Sequence, residues 1–396
     1  MEKELTLRRC AAVLIEPCEA RELDLVALLG GGEAVARNLH LRALAAHLDL
    51  PITLSASEVA TLAQLSPDAY TPRANLVGID EAALRSLHEK GLVFAQHDSN
   101  ALVDADQRVR DTRWHPLSAV AHRHTRWSDV RTADTDPQSY TRSLSGLVDK
   151  LGQPPAATPQ RGDESRRLAL PAAAASPIVD AARRRATCRN FDRSRPLPLA
   201  TAAALLHGVF GAQAAVRVAA GAEVLKKLSP SGGGLHPTEG YVLALDVQGV
   251  ASGIWHYRAR DHALDPMLLL AADELREFAL HALAGQDWFG DAPLMVVHAC
   301  RFGRSFWKYR GHAKAYRAVI LDIGHLSQTA YLLATELGVG AFVTAAINEA
   351  QIEQKLGLDP MVEGPLAISG FGYRTTQQST PEFDPMHTVW PQADPA

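Results

Sequence analysis

Cysteine is scarce in this chain of 396 residues, which contains 4 cysteines and no CxxC pair. Neither a disulfide framework nor a cysteine-based zinc site is therefore indicated, and we expect a reducing, cytoplasmic location. An excess of basic residues is also lacking, because the net charge is −4, so nucleic acid is not an expected partner. No apolar run reaches membrane-spanning length and no signal peptide is recognised, so we expect no membrane association.

The length and the composition predict two domains joined by a linker. A chain of 396 residues is too long for one ordinary hydrophobic core. Residues 152–177 are rich in proline, alanine and charge and lack apolar periodicity, which is typical of a linker. We therefore predict an N-terminal domain over residues 1–151 and a second domain over residues 178–396.

The N-terminal part predicts a helix, a second helix, a strand and a turn, which is the order of a winged helix. Ser55 or Ser57 caps the first helix, and Glu58 lies in its first turn. The second helix, Glu81–Lys90, carries balanced charge, unlike a helix that reads DNA, and the strand Leu92–Gln96 follows. Two other roles stay open: docking an extended peptide along the strand edge, or packing on the other domain.

The second half of the chain alternates strand-like and helix-like patterns, which predicts an α+β domain with a mixed or antiparallel sheet around a buried helix. The predicted strands are Gly240–Val247, Gly253–Tyr257, Leu294–Cys300, Gly340–Ala345 and Pro365–Gly370. The predicted helices are Leu199–Phe210, Ala272–Ala284, the very apolar Tyr316–Leu337 and Glu349–Leu356.

The stretch "RRRATCRNF" places Arg185, Thr187 and Arg189 at alternating positions. Alternating side chains of an extended chain share one face. Two guanidinium groups and a hydroxyl on one face suit a phosphate. A solvated basic turn is the alternative interpretation, because arginine is mostly a surface residue.

A glycine-rich stretch, "SPSGGGLHP", directly precedes an apolar strand. Adjacent glycines are tolerated where the backbone takes unusual angles or where something bulky comes close. Pro230, Ser231 and Gly232 could offer a hydroxyl and backbone groups to a planar heterocycle. A plain loop is the alternative.

Lys308 and Tyr309 are adjacent, so they can share a site only outside the middle of a helix. A nearby ammonium favours a phenolate and would make Tyr309 a usable base. Two amphipathic surface residues are the alternative.

For four further polar residues, a structural role is the first interpretation. Asp322 and His325, in the apolar helical stretch, are first interpreted as core groups with hydrogen-bond partners, and second as part of a cofactor's surroundings. His122 and His124 form an HxH pair without a third ligand, so we predict no metal site.

Taken together and in this order, these stretches resemble the FMN-dependent nitroreductase superfamily, and within it the SagB-type peptide dehydrogenases. The resemblance covers about Ile178–Tyr373. "RATCRNF" is similar to the superfamily's phosphate motif, "SPSGGGLHP" to the loop against the flavin ring, and "WKYRGHAKAYRAVILDIGHLSQT" to the segment with the catalytic Lys-Tyr pair. The N-terminal half resembles the winged-helix region often fused to these enzymes.

The resemblance implies the role of each matching residue. Arg185, Thr187 and Arg189 would hold the FMN phosphate, and Lys308 and Tyr309 would be catalytic. The remaining cofactor-binding predictions are Pro230, Ser231, Gly232, Gln328, Thr344, Ala345 and Arg374. No lysine or arginine follows Arg374, so either Arg374 supplies the superfamily's last basic phosphate contact or the site lacks one.

The implied function is FMN-dependent oxidation of a ribosomally made, modified peptide, either azoline to azole or amino-acid desaturation. A hydride would pass to flavin N5 while Tyr309, helped by Lys308, removes a proton. The resemblance also implies a homodimer with the loop Pro230–Gly232 contributed across the interface, a precursor peptide as substrate, and a cyclase or another maturation enzyme as a possible partner. Two alternatives stay open: an NAD(P)H-dependent nitro or quinone reductase, and a non-catalytic subunit that binds leader peptide.

Overall fold

The computed structural model describes residues 5–23, 28–31, 35–132, 148–149, 151–159 and 161–390. The described α-helices are α1 Ala56–Leu62, α2 Glu81–Glu89, α3 Ala101–Thr112, α4 Pro116–His124, α5 Pro177–Arg184, α6 Leu199–Phe210, α7 Ala272–Ala282, α8 Phe302–Phe306, α9 Ala315–Glu336 and α10 Glu349–Leu356. The described strands are β1 Thr6–Arg9, β2 Val13–Leu23, β3 Val35–Ala45, β4 Ile52–Leu54, β5 Thr71–Pro72, β6 Val93–Ala95, β7 Ala214–Ala219, β8 Ala222–Lys226, β9 Thr238–Ala244, β10 Gly253–Arg258, β11 Ala263–Leu269, β12 Leu294–Arg301, β13 Gly340–Thr344 and β14 Glu363–Gly372.

The chain folds into two compact units. The first unit consists of Met1–Arg126, Arg301–Val319 and Gly357–Gly364, and the second of Trp127–Cys300, Ile320–Leu356 and Pro365–Ala396. The described residues between 152 and 175 are all exposed, and their one helical element is a 3₁₀ turn, Glu164–Arg166. The predicted domain boundaries at residues 151 and 178 stay a prediction.

In the first unit, capping residues define two helices, and Ser55, one of the two predicted caps, begins the first of them. Ser55 and Glu58 form a capping box at α1, since Ser55 Oγ accepts from Glu58 N (3.2 Å) and Glu58 Oε2 accepts from Ser55 N (2.7 Å). Asp80 caps α2, and Gly91, with φ 70°, follows its end. The predicted order of helix, helix and strand is confirmed, but Asn100 then caps α3, so the chain after the turn is helical. The winged-helix assignment stays a prediction.

The same unit contains two three-stranded sheets, with orders β5-β1-β6 and β2-β3-β4. β2 and β3 pair antiparallel along their whole length, from Val13 opposite Ala45 to Leu23 opposite Val35. Sequence analysis did not predict this hairpin. The sheets and helices enclose an apolar core. Its buried members include Leu7, Leu54, Leu62, Leu84, Leu87, Leu92 and Phe94.

The second unit is built on a six-stranded sheet with the order β11-β10-β9-β12-β14-β13. β9 pairs antiparallel with β10 and β12, and so do β10 with β11 and β13 with β14. All five strands predicted in this half are present, with ends shifted by up to three residues. The predicted α+β class is therefore confirmed. The exposed hairpin of β7 and β8 was not predicted.

Two helices cover this sheet with apolar side chains. Val209 and Phe210 of α6 and Leu326 and Ala330 of α9 belong to one buried core with the strands. α9 is the long helix predicted as Tyr316–Leu337. In the single chain its Ile320 and Leu321 are exposed, so burial of that surface in a homodimer stays a prediction. Among the described residues, no helix has the length and apolar character that a membrane span requires.

Candidate functional site

The segment from Arg185 to Arg189 alternates between exposed and buried positions, as the sequence predicted. Arg185 is exposed, and Thr187 and Arg189 are half-buried. The intervening side chains are buried: Ala186, Cys188 and Asn190. The three predicted phosphate ligands therefore lie on the outward side of one extended segment. We call residues 185–189 the phosphate segment.

Tyr331 of α9 connects two of these side chains. Its phenol oxygen lies 3.1 Å from Thr187 Oγ1 and accepts a hydrogen bond from Val343 N, also at 3.1 Å. The guanidinium carbon of Arg185 lies 5.3 Å from the centre of the Tyr331 ring, which is a cation–π distance. Sequence analysis missed Tyr331, because an aromatic residue within an apolar helix looks like an ordinary core residue.

A cavity of about 630 Å³ lies beside the phosphate segment. Thr187, Arg189 and Thr344 line it, together with Gln286 and Trp288. The structure therefore brings two predicted phosphate ligands and one predicted flavin-edge residue to one space. Its size lies within the range of small-molecule and cofactor sites, about 300–1,000 Å³.

The walls of this cavity carry groups of both signs, because Arg189 lines it together with Asp287 and Asp291. Arg189 supplies positive charge and Thr187 a hydroxyl, the two groups that a phosphate requires. Trp288 Nε1 is buried and has no hydrogen-bond partner among the described residues, so it is a donor left over by the folded chain. These residues are compatible with the predicted FMN.

Thr344 and Ala345 lie where β13 ends. Thr344 Oγ1 donates to Gln286 Oε1 (3.1 Å) and accepts from Ala346 N (3.1 Å), so its side chain is held in one orientation. Gln286 is fixed in turn, because its Nε2 donates to the Ala346 carbonyl (2.6 Å). Ala345 between them is exposed.

The predicted flavin loop, Pro230–Gly232, is attached to α9 by a buried carboxylate. Asp322 accepts from Ser231 Oγ (2.6 Å) and from Gly232 N (2.9 Å). Ser231 Oγ also accepts from His236 N (2.9 Å). The hydroxyl and the amide predicted to face a heterocycle are therefore both used within the loop and its attachment.

Two more contacts fix the loop to the same helix. His325 Nδ1 donates to the Pro230 carbonyl (3.2 Å), and Ser229 Oγ lies 2.6 Å from Thr329 Oγ1. Residues 322, 325 and 329 recur at helical spacing and share one side of α9. The interpretation as a core group with hydrogen-bond partners is thus confirmed for the buried Asp322. It is wrong for the burial of His325, which is exposed although it also binds the glycine-rich loop. Gln328, on the same helix, is exposed.

Glycine is required in this loop for its backbone angles. Gly233 has φ 67° and Gly234 has φ 68°, in the left-handed region that residues with a side chain rarely adopt. A Cβ atom on Gly234 would meet nothing within 4 Å. Conformation rather than close packing therefore explains Gly234 in the single chain.

Arg374, predicted as the last phosphate contact, lies against the phosphate segment. It donates from a terminal guanidinium nitrogen to the Ala186 carbonyl (2.7 Å), and its Nε lies 3.1 Å from Glu382 Oε2. The Glu382 carboxylate pairs with the Arg374 charge in this arrangement. Sequence analysis did not identify Glu382.

Lys308 and Tyr309 lie in the first unit, in the turn between α8 and α9. Their position outside a helix, just before the long one, is as predicted. Lys308 Nζ lies 5.5 Å from the centre of the Tyr309 ring. Both backbone amides donate to the Ser305 carbonyl at 3.2 Å, which fixes the turn. Lys308 is exposed and Tyr309 is half-buried.

His122 and His124 have structural partners. His122 Nε2 donates to the Pro360 carbonyl (2.9 Å), so its Nδ1 accepts from the Tyr316 hydroxyl (3.0 Å). Burial lowers the pKa of His122 to about 3, which keeps the ring neutral. His124 Nε2 lies 3.0 Å from the Ala45 carbonyl.

The second half of the chain is similar to known proteins. The Nitroreductase family matches residues 182–373. A putative nitroreductase of Methanocaldococcus jannaschii is 32% identical over 146 residues, which is 37% of this chain and 70% of that protein.

Two further relatives are named for the processing of trifolitoxin and of microcin B17. The trifolitoxin-processing protein TfxB of Rhizobium leguminosarum bv. trifolii is 36% identical over 166 residues, 39% of this chain and 41% of that protein. The microcin B17-processing protein McbC of Escherichia coli is 26% identical over 149 residues, 36% of this chain and 53% of that protein. The match spans only about half the length of these two proteins. The match over residues 182–373, with 70% of the archaeal protein covered, shows that the chain belongs to the nitroreductase family.

Proposed function

We propose that this protein binds FMN and oxidises a ribosomally made, modified peptide. The observation that carries the proposal is the cavity shared by Thr187, Arg189 and Thr344. Sequence analysis nominated these residues for the two ends of one flavin, and they line one space. Membership of the nitroreductase family supports an oxidoreductase.

The proposed cofactor contacts follow from the chemistry of each group. Arg185 and Arg189 would pair with the phosphate, and Thr187 would donate or accept a hydrogen bond there. Thr344 and Ala345 would lie along the flavin edge, with Pro230, Ser231, Gly232 and Gln328 near the ring. When bound, FMN supplies an acceptor for a hydride from the substrate.

A peptide substrate is supported by the two relatives named for processing trifolitoxin and microcin B17. The Lys308–Tyr309 pair supports it independently, because the resemblance ties this pair to peptide dehydrogenases. Loss of a hydride from one atom and a proton from its neighbour would give an azole from an azoline, or a dehydroamino acid. A homodimer and a cyclase or another maturation enzyme as partner are part of the proposal.

The protein's own task in this reaction is to take the proton. Tyr309 offers a phenol oxygen as acceptor, and the Lys308 ammonium lies 5.5 Å from the ring centre. A positioned general base contributes about 10²–10⁴-fold to a rate. Tyr309 and Lys308 are therefore the proposed catalytic residues.

The test compares Tyr309→Phe with Tyr70→Phe, which removes a phenol oxygen from a ring that also lies near a cation, Arg8, at 4.6 Å. The substrate is a thiazoline-containing peptide, and mass spectrometry follows the loss of two hydrogens. We expect Tyr309→Phe to lower the rate by at least about 100-fold with the yellow cofactor retained. Tyr70→Phe should keep the wild-type rate. Full activity in Tyr309→Phe would refute the role of Tyr309.

A nitro or quinone reductase driven by NAD(P)H is the second candidate. It is favoured by the archaeal relative, which is named a putative nitroreductase and is covered over 70% of its length. Rapid oxidation of NADPH with a nitroaromatic or quinone acceptor, and no reaction with the thiazoline peptide, would select it. A colourless protein that cannot be reconstituted with FMN would refute both candidates.

A further inference from the structure

Glu382 lies at the centre of a buried hydrogen-bond cluster behind the phosphate segment. Its side chain has 0% exposed surface. Oε1 accepts from Arg189 N (2.6 Å), Asn190 N (3.1 Å) and Asn190 Nδ2 (2.9 Å). Oε2 accepts from Arg374 Nε (3.1 Å) and Trp390 Nε1 (2.8 Å). One carboxylate thus receives five hydrogen bonds from three parts of the chain.

Asn190 extends the cluster to neighbouring residues of the C-terminal segment. Its Oδ1 accepts from Ser379 N (2.8 Å), Ser379 Oγ (2.9 Å) and Thr380 N (2.8 Å). Its Nδ2 also donates to the Thr380 carbonyl (2.8 Å). All hydrogen-bonding positions of the Asn190 side chain are used, so this residue is held tightly.

The contacts hold the phosphate segment at both ends. Arg374 binds the Ala186 carbonyl at one end, and Glu382 binds the amides of Arg189 and Asn190 at the other. Glu382 and Arg374 engage backbone atoms of the segment, and the side chains of Thr187 and Arg189 line the cavity. The Arg189 guanidinium also donates to the Pro381 carbonyl of the C-terminal segment (3.4 Å). Hydrogen bonds to a buried charge are stronger than those between neutral groups. These contacts therefore fix the backbone that carries the Thr187 and Arg189 side chains.

We propose that residues 379–390 form a C-terminal latch and that Glu382 is the positioning residue through which it orients Thr187 and Arg189 toward a flavin phosphate. The proposal rests on the proposed function, because it assumes that the cavity takes FMN. Glu382 acts through the backbone of the phosphate segment and makes no contact with the flavin. It also pairs with Arg374, which leaves Arg185 and Arg189 as the segment's cations for the phosphate.

The experiment uses the full-length protein, stripped of flavin and titrated separately with FMN and with riboflavin, which lacks the phosphate. Glu382→Gln keeps the side-chain size but replaces one acceptor oxygen by a donor. We expect its Kd for FMN to rise at least about tenfold and its Kd for riboflavin to change less than about twofold. Equal weakening of both ligands would show a general structural role and would overturn the proposal.

The matched control is Glu336→Gln, which removes an exposed carboxylate. This carboxylate pairs at 2.6 Å with Arg184, the residue directly before the phosphate segment. It should leave both Kd values unchanged. A double-mutant cycle adds a second readout: Glu382→Gln should have little further effect on FMN binding once Arg189→Ala has removed the guanidinium. Additive effects would contradict action through Arg189, and this holds even where riboflavin binds too weakly to measure.

The failure of this proposal and that of the proposed function give different results. A wild-type protein that binds neither flavin refutes the FMN function, and the phosphate role of the latch with it. A wild-type protein that binds FMN, together with a Glu382→Gln variant of unchanged FMN affinity, refutes the latch alone.

Discussion

The phosphate segment and the glycine-rich loop are both irregular, and each is fixed by one buried carboxylate, but the two carboxylates bind different atoms. Glu382 binds backbone amides of the phosphate segment, and the Arg189 guanidinium donates to the neighbouring Pro381 carbonyl. Asp322 binds the Ser231 hydroxyl and the Gly232 amide, which are the loop's own donors. The first segment therefore keeps the side chains of Thr187 and Arg189 at the cavity, whereas the loop uses its own donors for its attachment to α9.

This difference changes what the two motifs mean. In the phosphate segment, two residues recognised in sequence line the cavity, and each also has a partner within the fold: Tyr331 for Thr187 and the Pro381 carbonyl for Arg189. In the loop, the most conspicuous polar groups stabilise the loop itself, so a flavin contact from it would use other atoms. A polar residue in a motif can therefore serve either the ligand or the fold, and only its partner shows which.

The largest expected effect is on the free energy of unfolding, which should fall more when Glu382 is removed than when Asp322 is removed. Glu382→Ala removes a fully buried carboxylate that accepts five hydrogen bonds, one of them from the half-buried Arg374, and should cost about 3–5 kcal/mol of unfolding free energy. Asp322→Ala removes two hydrogen bonds that carry no cation and should cost about 1–3 kcal/mol. Denaturant unfolding measures both.

The control for this comparison is Glu336→Ala, whose exposed ion pair should contribute about 0–1 kcal/mol. A loss in Glu382→Ala no larger than in this control would mean that the C-terminal latch is not a stable part of the fold.

Sequence analysis could recognise the phosphate segment because its signal is local. Arg185, Thr187 and Arg189 alternate within five positions, and the extended backbone alone puts them on one side. Glu382 could not be found this way, since it lies 193 residues from Arg189 and 192 from Asn190. Only the folded chain brings a carboxylate of the C-terminal segment to that motif.

The same contrast holds for secondary structure. The helix Leu199–Phe210 was predicted to the residue, because its apolar spacing is continuous. The hairpin of β2 and β3 was missed, since Pro17 within β2 argues against a strand. Pairing with a neighbouring strand in the folded chain overrides such local signals.

A second, smaller effect is the stability cost of replacing a glycine, either Gly340 beside the phosphate segment or Gly234 in the glycine-rich loop. A Cβ on Gly340 would lie 2.6 Å from Cys188 Sγ, in the phosphate segment, whereas a Cβ on Gly234 meets nothing. Gly340→Ala should cost about 1–3 kcal/mol through crowding. Gly234→Ala should cost about 1 kcal/mol through its positive φ alone.

Thermal unfolding of the two glycine variants, with FMN and without it, measures the comparison. Gly340→Ala should also weaken FMN binding, because the added methyl group displaces the segment that carries Thr187. Equal costs, or a larger cost at Gly234, would show that crowding does not distinguish the two positions.

The smallest expected effect asks whether α9 couples the two segments. Tyr331→Phe keeps the ring beside Arg185 but leaves Val343 N without its acceptor, which should cost about 1 kcal/mol. Asp322 lies nine residues earlier on the helix, about 14 Å away at 1.5 Å per residue. Sites so far apart without shared partners are additive within about 0.5 kcal/mol. Tyr331→Phe combined with Asp322→Asn should therefore give the sum of the single effects in denaturant unfolding. A coupling energy above about 1 kcal/mol would mean that α9 links the phosphate segment and the loop into one cooperative element, so that each carboxylate would influence both ends of the site.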